Sequence, residues 1–144
     1  MSEIAITASA TQTSPNAVIK TGIAGAAGMV RTAPLIYQGI DDRWYPADAD
    51  GAAPAYKATA WLLNDADEDQ PIHFCTYDPM FLPGFTIAEH AIVMLSWTTA
   101  GRIRLIADVG SLPSGGVSFL TLCLFGLNSN FAQLQFVNVN IAKP

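Results

Sequence analysis

Charge is what this chain has least of. Asp, Glu, Lys and Arg make up 13% of its 144 residues, about half the roughly 25% usual for a soluble domain. Seven Lys and Arg stand against twelve Asp and Glu, which leaves a net charge of −5. The basic residues are scattered and form no stripe that would neutralise phosphates. That argues against direct nucleic-acid binding and against attraction to an anionic membrane. Histidine and cysteine occur only twice each, as His73 and His90, Cys75 and Cys123. Zinc takes about four such ligands in paired spacings, and the chain has no CxxC or HxxxH, so no metal and no other cofactor is expected. No apolar run reaches the ~18 residues needed to span a membrane. The start, Met1-Ser2-Glu3-Ile4, has neither a basic n-region nor an apolar h-region. Without a sign of export, the two cysteines read as buried thiols rather than a disulfide.

Hydrophobic residues, at 51%, are plentiful enough for one domain with a proper core. With so few charges to wet the surface, part of it is expected to be covered by other subunits. The β signals recur along the chain. Segment 3–9 alternates and reads as a strand or extended arm, followed by a polar, Pro-containing link at 11–16. Segment 17–20 is a short β-like piece. The small residues at 22–28 read as loop or close-packed backbone, because three glycines cost a helix roughly 1 kcal/mol each against alanine. Segments 35–38 and 43–45 flank a turn at 39–42. Further strands are expected at 56–63 and 71–77, with an acidic loop at 64–70 between them and a Pro/Gly-rich link at 78–84 after. Segments 91–97 and 102–107 pair across a short hairpin loop. A loop at 110–116 precedes strands at 117–125 and 131–140. The one helical candidate is 87–94, where Glu89 and His90 suit a helix but Ile92 and Val93 favour a strand. Strands every 8–12 residues or so imply an all-β fold, a small β-sandwich or β-barrel with at most one short helix. The expected organisation is an extended N-terminal arm over residues 1–16 and a single β domain over 17–144.

No cluster of residues carries recognisable chemistry. His73 and Cys75 share a strand face but lack companions for a metal. Asp48-Ala49-Asp50-Gly51 mimics the start of a calcium loop, yet Ala52, Ala53, Pro54 and Ala55 follow where oxygen ligands are needed. Asp65, Asp67, Glu68 and Asp69 read as a solvated loop, with a cation or a basic patch on a neighbour as the sharper option. Glu89 with Asp108, or Ser96 with His90, could be nominated for hydrolysis, but there is no GxSxG and no HExxH. The glycines at 22–28 lack the GK[ST] ending of a phosphate loop. Arg102 and Arg104 share a strand face and could grip a carboxylate. Trp44, Tyr45 and Trp61 could stack on sugar, though core or interface anchors are the commoner role for such aromatics.

The order of features is more telling than any single one. A small-residue element, Gly22-Ile23-Ala24-Gly25-Ala26-Ala27, precedes a strand–turn–strand running from Tyr37 to Trp44-Tyr45-Pro46-Ala47-Asp48-Ala49-Asp50. A strand pair follows around Thr59-Ala60-Trp61-Leu62-Leu63-Asn64 and Asp69-Gln70-Pro71-Ile72. Ala100-Gly101-Arg102-Ile103 with Ala107-Asp108 comes next, then Leu124-Phe125-Gly126-Leu127. This series, over roughly residues 4–137, resembles the small decoration, cement or head-stabilising proteins on the capsids of tailed bacteriophages. The chain departs from the pattern at Trp61-Leu62 and at Arg102-Ile103-Arg104, where Gly-Ile is usual.

The resemblance implies a structural virion protein on the outer capsid surface. Such a protein is a homo-oligomer, often a trimer, and docks on the major capsid protein. No catalytic residue is carried over from such a family, and the chain is not expected to be an enzyme. Ile4 and Ile6 are expected in an arm strand added to a capsid or neighbouring-subunit edge. Tyr37, Trp44, Tyr45 and Trp61 are expected as capsid or subunit interface anchors. The alternative is a carbohydrate- or receptor-binding β domain of a phage fibre, which needs exposed aromatics near Trp44 or Trp97. A small hydrolase using Glu89, His90 or Asp108, or another virion component such as a tail-tube protein, stands behind these.

Overall fold

Thirteen consecutive residues, Pro71–Pro83, form the strand on which the sheet is built. The computed structural model describes residues 3–49, 55–106 and 120–139. In chain order the strands are β1 (Thr11–Gln12), β2 (Val18–Ile23), β3 (Leu35–Gln38), β4 (Trp44–Pro46), β5 (Ala60–Leu62), β6 (Pro71–Pro83), β7 (Ile92–Leu95), β8 (Ile103–Leu105), β9 (Leu120–Gly126) and β10 (Ala132–Val139). Helical structure among the described residues is confined to 3-10 pieces, Ala8–Ala10 and the residue Ile106. The fold is all-β, as the strand spacing implies.

β6 pairs with β2 along one edge and with β5 and then β10 along the other, while β1 pairs near its end. From β5 the sheet continues through β3 to β4, and from β10 through β9 and β7 to β8. All these pairings are antiparallel, and the sheet curls into a half-barrel. The curl begins in β6 itself. One step along β2, from Val18 to Ile19, spans two along β6, from Tyr77 to Cys75. Two steps along β10, from Ala132 to Leu134, span three along β6, from Phe81 to Asp78. Each extra residue bends the strand and increases its twist. Buried positions therefore fall at Cys75, Asp78 and Phe81, three apart instead of two.

The second bulge explains why 78–84 resembles a link in sequence yet belongs to a strand. Pro79 has no N–H for the ladder, and a bulge is one of the few places in a sheet that tolerates this. The buried carboxylate of Asp78 then holds the bend. It accepts hydrogen bonds from the Met80 N–H at 3.0 Å, from the Ser14 N–H at 2.7 Å and from the Ser14 hydroxyl.

The main core lies inside the curl. Leu35 and Trp61 come from one wing, Val93, Leu95, Ile103 and Leu124 from the other, and Phe81 from β6. Trp61 meets Phe81 edge-on, with ring centroids 5.0 Å apart. Backbone hydrogen bonds join the wings across the open side. Leu35 N–H donates to Gly101 O at 3.0 Å, Gly101 N–H to Ala47 O at 2.6 Å, and Ala49 N–H to Ser96 O at 3.3 Å. A smaller core on the outer face gathers Ala24, Met29, Ile36, Trp44, Leu62, Ile72 and Phe74.

The N-terminal segment is not a free arm. Ile4 N–H donates to Ile103 O and Thr7 N–H to Gly84 O, both at 2.9 Å. Glu3 accepts from the Ser96 hydroxyl at 2.5 Å and from Thr99 N–H at 3.2 Å. Ile6 is only 8% exposed and sits in the main core. Burying an isoleucine is worth about 1.5–3 kcal/mol, which a free arm would forgo. The expected helix at 87–94 is also absent. A turn closes from Ala91 N–H to Ala88 O, and β7 starts at Ile92, where the β-branched pair prevails. Strand β2 runs on into Gly22 and Ile23, which the sequence suggested were loop.

Replacing Asp78 by alanine leaves the Met80 and Ser14 donors without their partner. The expected loss is about 2–3 kcal/mol of unfolding free energy in urea, the cost of orphaning buried donors to a charged acceptor. Glu68→Ala, on the exposed loop, should stay within about 0.5 kcal/mol of the parent chain.

Candidate functional site

Among the described residues, two of the sheet's edges each meet a further segment. Beside β4, Ala24 bridges Trp44 and Gly25 N–H donates to Trp44 O at 2.8 Å. Beside β8, Ile4 bonds to Ile103. A third edge is β2, which among the described residues pairs only with β6. It carries Val18, Ile19 and Ile23 at 42%, 49% and 42% exposure. An edge strand with exposed Val and Ile can template another chain, although the register shift at Val18–Ile19 and Lys20 partly blunt this one.

Next to β2 lies a cleft of ≈ 630 Å³. Its floor is Phe74 and the edge of Trp44, both largely buried. Tyr37, Gln38, Thr59 and Thr76 line the walls, and exposed Lys20 and Lys57 stand at the rim. Lys20 lies opposite Phe74 in the β2–β6 ladder. The cleft owes its shape to close packing between the small-residue element and the aromatic strand. Trp44 lies over Gly22 and Tyr45 over Gly25, where an added Cβ would come within 2.6 Å and 2.4 Å of the rings. Trp44 also leans on Phe74, centroid to centroid 4.2 Å. Tyr45 stacks with Tyr37 at 5.7 Å and donates its hydroxyl to Asp41 at 2.5 Å. That bond holds the Asp41 carboxyl below its ordinary pKa and lifts the Tyr45 phenol above its own. Burial and the nearby Asp41 raise Tyr37.

The expected interface residues divide unevenly. Trp61 is fully buried, Ile6 and Trp44 are 8% exposed, and all three hold their own chain together. Their burial removes them as interface anchors. Ile4, Tyr37 and Tyr45 are half-buried and only partly available. What sequence reading missed is Val18, Ile19 and Ile23. Their β-branched side chains signal a strand, but nothing local shows that no neighbour covers it.

The acidic loop is structural. Asp67 accepts from Gly28 N–H at 3.0 Å and Asp65 from Arg31 N–H at 2.8 Å. Asp69 pairs with Arg43 and Asp65 with Arg31. The loop thereby clamps the small-residue element onto the sheet. Ser96 is buried, donating to Glu3 and accepting from Arg104 at 3.2 Å, so its partners are not His90. Arg104 is buried over Trp97, 4.4 Å from the ring centroid, and donates to Thr98. His90 meets Glu89 at 3.4 Å on an exposed turn. His73 is exposed while Cys75 is buried. Among the described residues no three His, Cys, Asp or Glu gather as a metal site. Asp50, Gly51, Ala107 and Asp108, together with 110–119, lie outside the described residues.

Comparison with protein-family models, with curated proteins and with solved structures gives no match.

Burial raises the Cys75 thiol to about 11 and raises Cys123 as well. At pH 8 about one Cys75 in a thousand would be thiolate, the form that reacts. A thiol reagent should therefore label neither residue in the native protein within minutes at pH 8, and should label both at once in denaturant. Rapid native labelling of either would contradict the packing described.

Proposed function

We propose that this chain is a structural virion protein that decorates and stabilises the outer surface of a phage capsid. The observation that carries the reading is β2, an open edge strand with three exposed Val and Ile side chains. The low charge content and the order of features shared with decoration proteins support it. In this reading β2 adds to an exposed strand of the major capsid protein. Main-chain hydrogen bonds supply affinity there, and Val18, Ile19 and Ile23 supply apolar burial. Two copies of β2 paired antiparallel would make a two-fold contact, so a homotrimer is held by other surfaces and leaves β2 free for the capsid. Many symmetric copies then turn a modest per-site affinity into firm attachment. A second reading, a carbohydrate- or receptor-binding domain of a phage fibre, is favoured by the cleft beside β2.

Native mass measurement followed by mixing with empty capsids tests the first reading. The expected result is a trimer that binds heads. Ile19→Lys should keep that mass and lose at least tenfold in binding. A monodisperse monomer that ignores capsids, or an Ile19→Lys variant that binds undiminished, would defeat it.

A further inference from the structure

We infer that the cleft beside β2 binds an acidic saccharide, a sugar bearing a carboxylate, between Lys20 and Lys57. The chain has only three lysines, and two of them stand at this one rim. Three of the four arginines are engaged elsewhere: Arg31 pairs with Asp65, Arg43 with Asp69, and Arg104 lies over Trp97. Neither Lys20 nor Lys57 has a carboxylate partner among the described residues, and Lys57 lies 5.6 Å from the Tyr56 ring centroid. No Asp or Glu lines the cleft. In a chain of net charge −5 the two lysines concentrate positive charge at this rim, opposed there by Asp41 beside Tyr37, and they favour an anion.

The remaining walls narrow the ligand's chemistry. The hydroxyls of Thr59 and Thr76 and the amide of Gln38 both donate and accept, which suits a polyol. The Tyr37 phenol, with its pKa raised, stays protonated near neutral pH and adds a further donor. The apolar floor is small. Phe74 is 2% exposed and Trp44 8%, too little open ring for a nucleobase or a sugar ring to stack on, so recognition falls to the polar walls and the two lysines. The volume, ≈ 630 Å³, lies within the range of about 300–1,000 Å³ typical of small-molecule sites. A carboxylate reaching either ammonium group would form a charge-assisted hydrogen bond to it.

The cleft shares Lys20 and Thr21 with β2, but it uses their side chains whereas the proposed capsid docking uses the β2 backbone. Each can fail without the other. The test is calorimetric titration of the full chain at low salt. The probes are oligosaccharides of glucuronate, galacturonate and N-acetylneuraminate, their neutral counterparts, inorganic phosphate and a nucleoside monophosphate. At least one acidic saccharide should bind ten times or more tighter than its neutral counterpart and than phosphate or the nucleotide. The Lys20→Gln, Lys57→Gln double variant should lose at least tenfold, with circular dichroism and native mass unchanged. Thr59→Val should weaken the saccharide without altering any weak phosphate binding. Equal binding of the neutral sugar, equal binding of phosphate or nucleotide, no saccharide binding at all, or an unaffected double variant would each overturn the proposal.

Discussion

The bend in β6 is the constraint on which the rest of this structure depends. A straight thirteen-residue strand would carry two flat wings. Two register shifts instead turn the wings toward each other and enclose one core. The second bend is held by a single buried carboxylate, Asp78, which ties Ser14 to the Met80 backbone. The same contact fixes where the N-terminal segment leaves β1 and where β2 begins. Curl, strap and open edge therefore share one origin.

A second constraint sits on the outer face. The aromatic strand Trp44–Pro46 needs a neighbour without side chains, and Gly22 and Gly25 supply it. Asp65, Asp67 and Asp69 then fasten that neighbour to the sheet through backbone N–H groups and two arginines. Arg31 and Arg43, near the acidic loop, are taken up in surface ion pairs with it. Lys20 and Lys57 have no carboxylate partner among the described residues, and β2 remains as an open edge. The surfaces available for partners are what these internal contacts leave over.

Much of the fold was legible in the sequence because it follows from local pattern. Alternation and β-branched pairs mark β3, β5, β7, β8 and β10, whereas the Gly-rich element reads as loop or close-packed backbone although its first two residues belong to β2. The misreadings arose where distant contacts override local pattern. Pro79 looks like a break until a bulge and Asp78 accommodate it. Ile4 and Ile6 look like a free arm until the half-barrel offers them Ile103 and the core. Trp44 and Trp61 look like anchors for a partner because size and aromaticity do not say which side of a sheet is closed. Val18 and Ile19 read only as a short β-like piece for the converse reason, since exposure of an edge is a property of the whole topology.

Placing the open edge at β2 rather than at the N-terminal strap changes what assembly through this chain would look like. Backbone amides of an edge strand alternate between the ladder and solvent, and the outward set gains protection only when another strand is added. Hydrogen–deuterium exchange of the protein, free and bound to empty capsids, reads this directly. The expected result is fast exchange at the outward amides of Val18–Ile23 in the free protein and strong protection on the capsid, with residues 3–12 protected in both. Protection gained at 3–12 and none at β2 would contradict it.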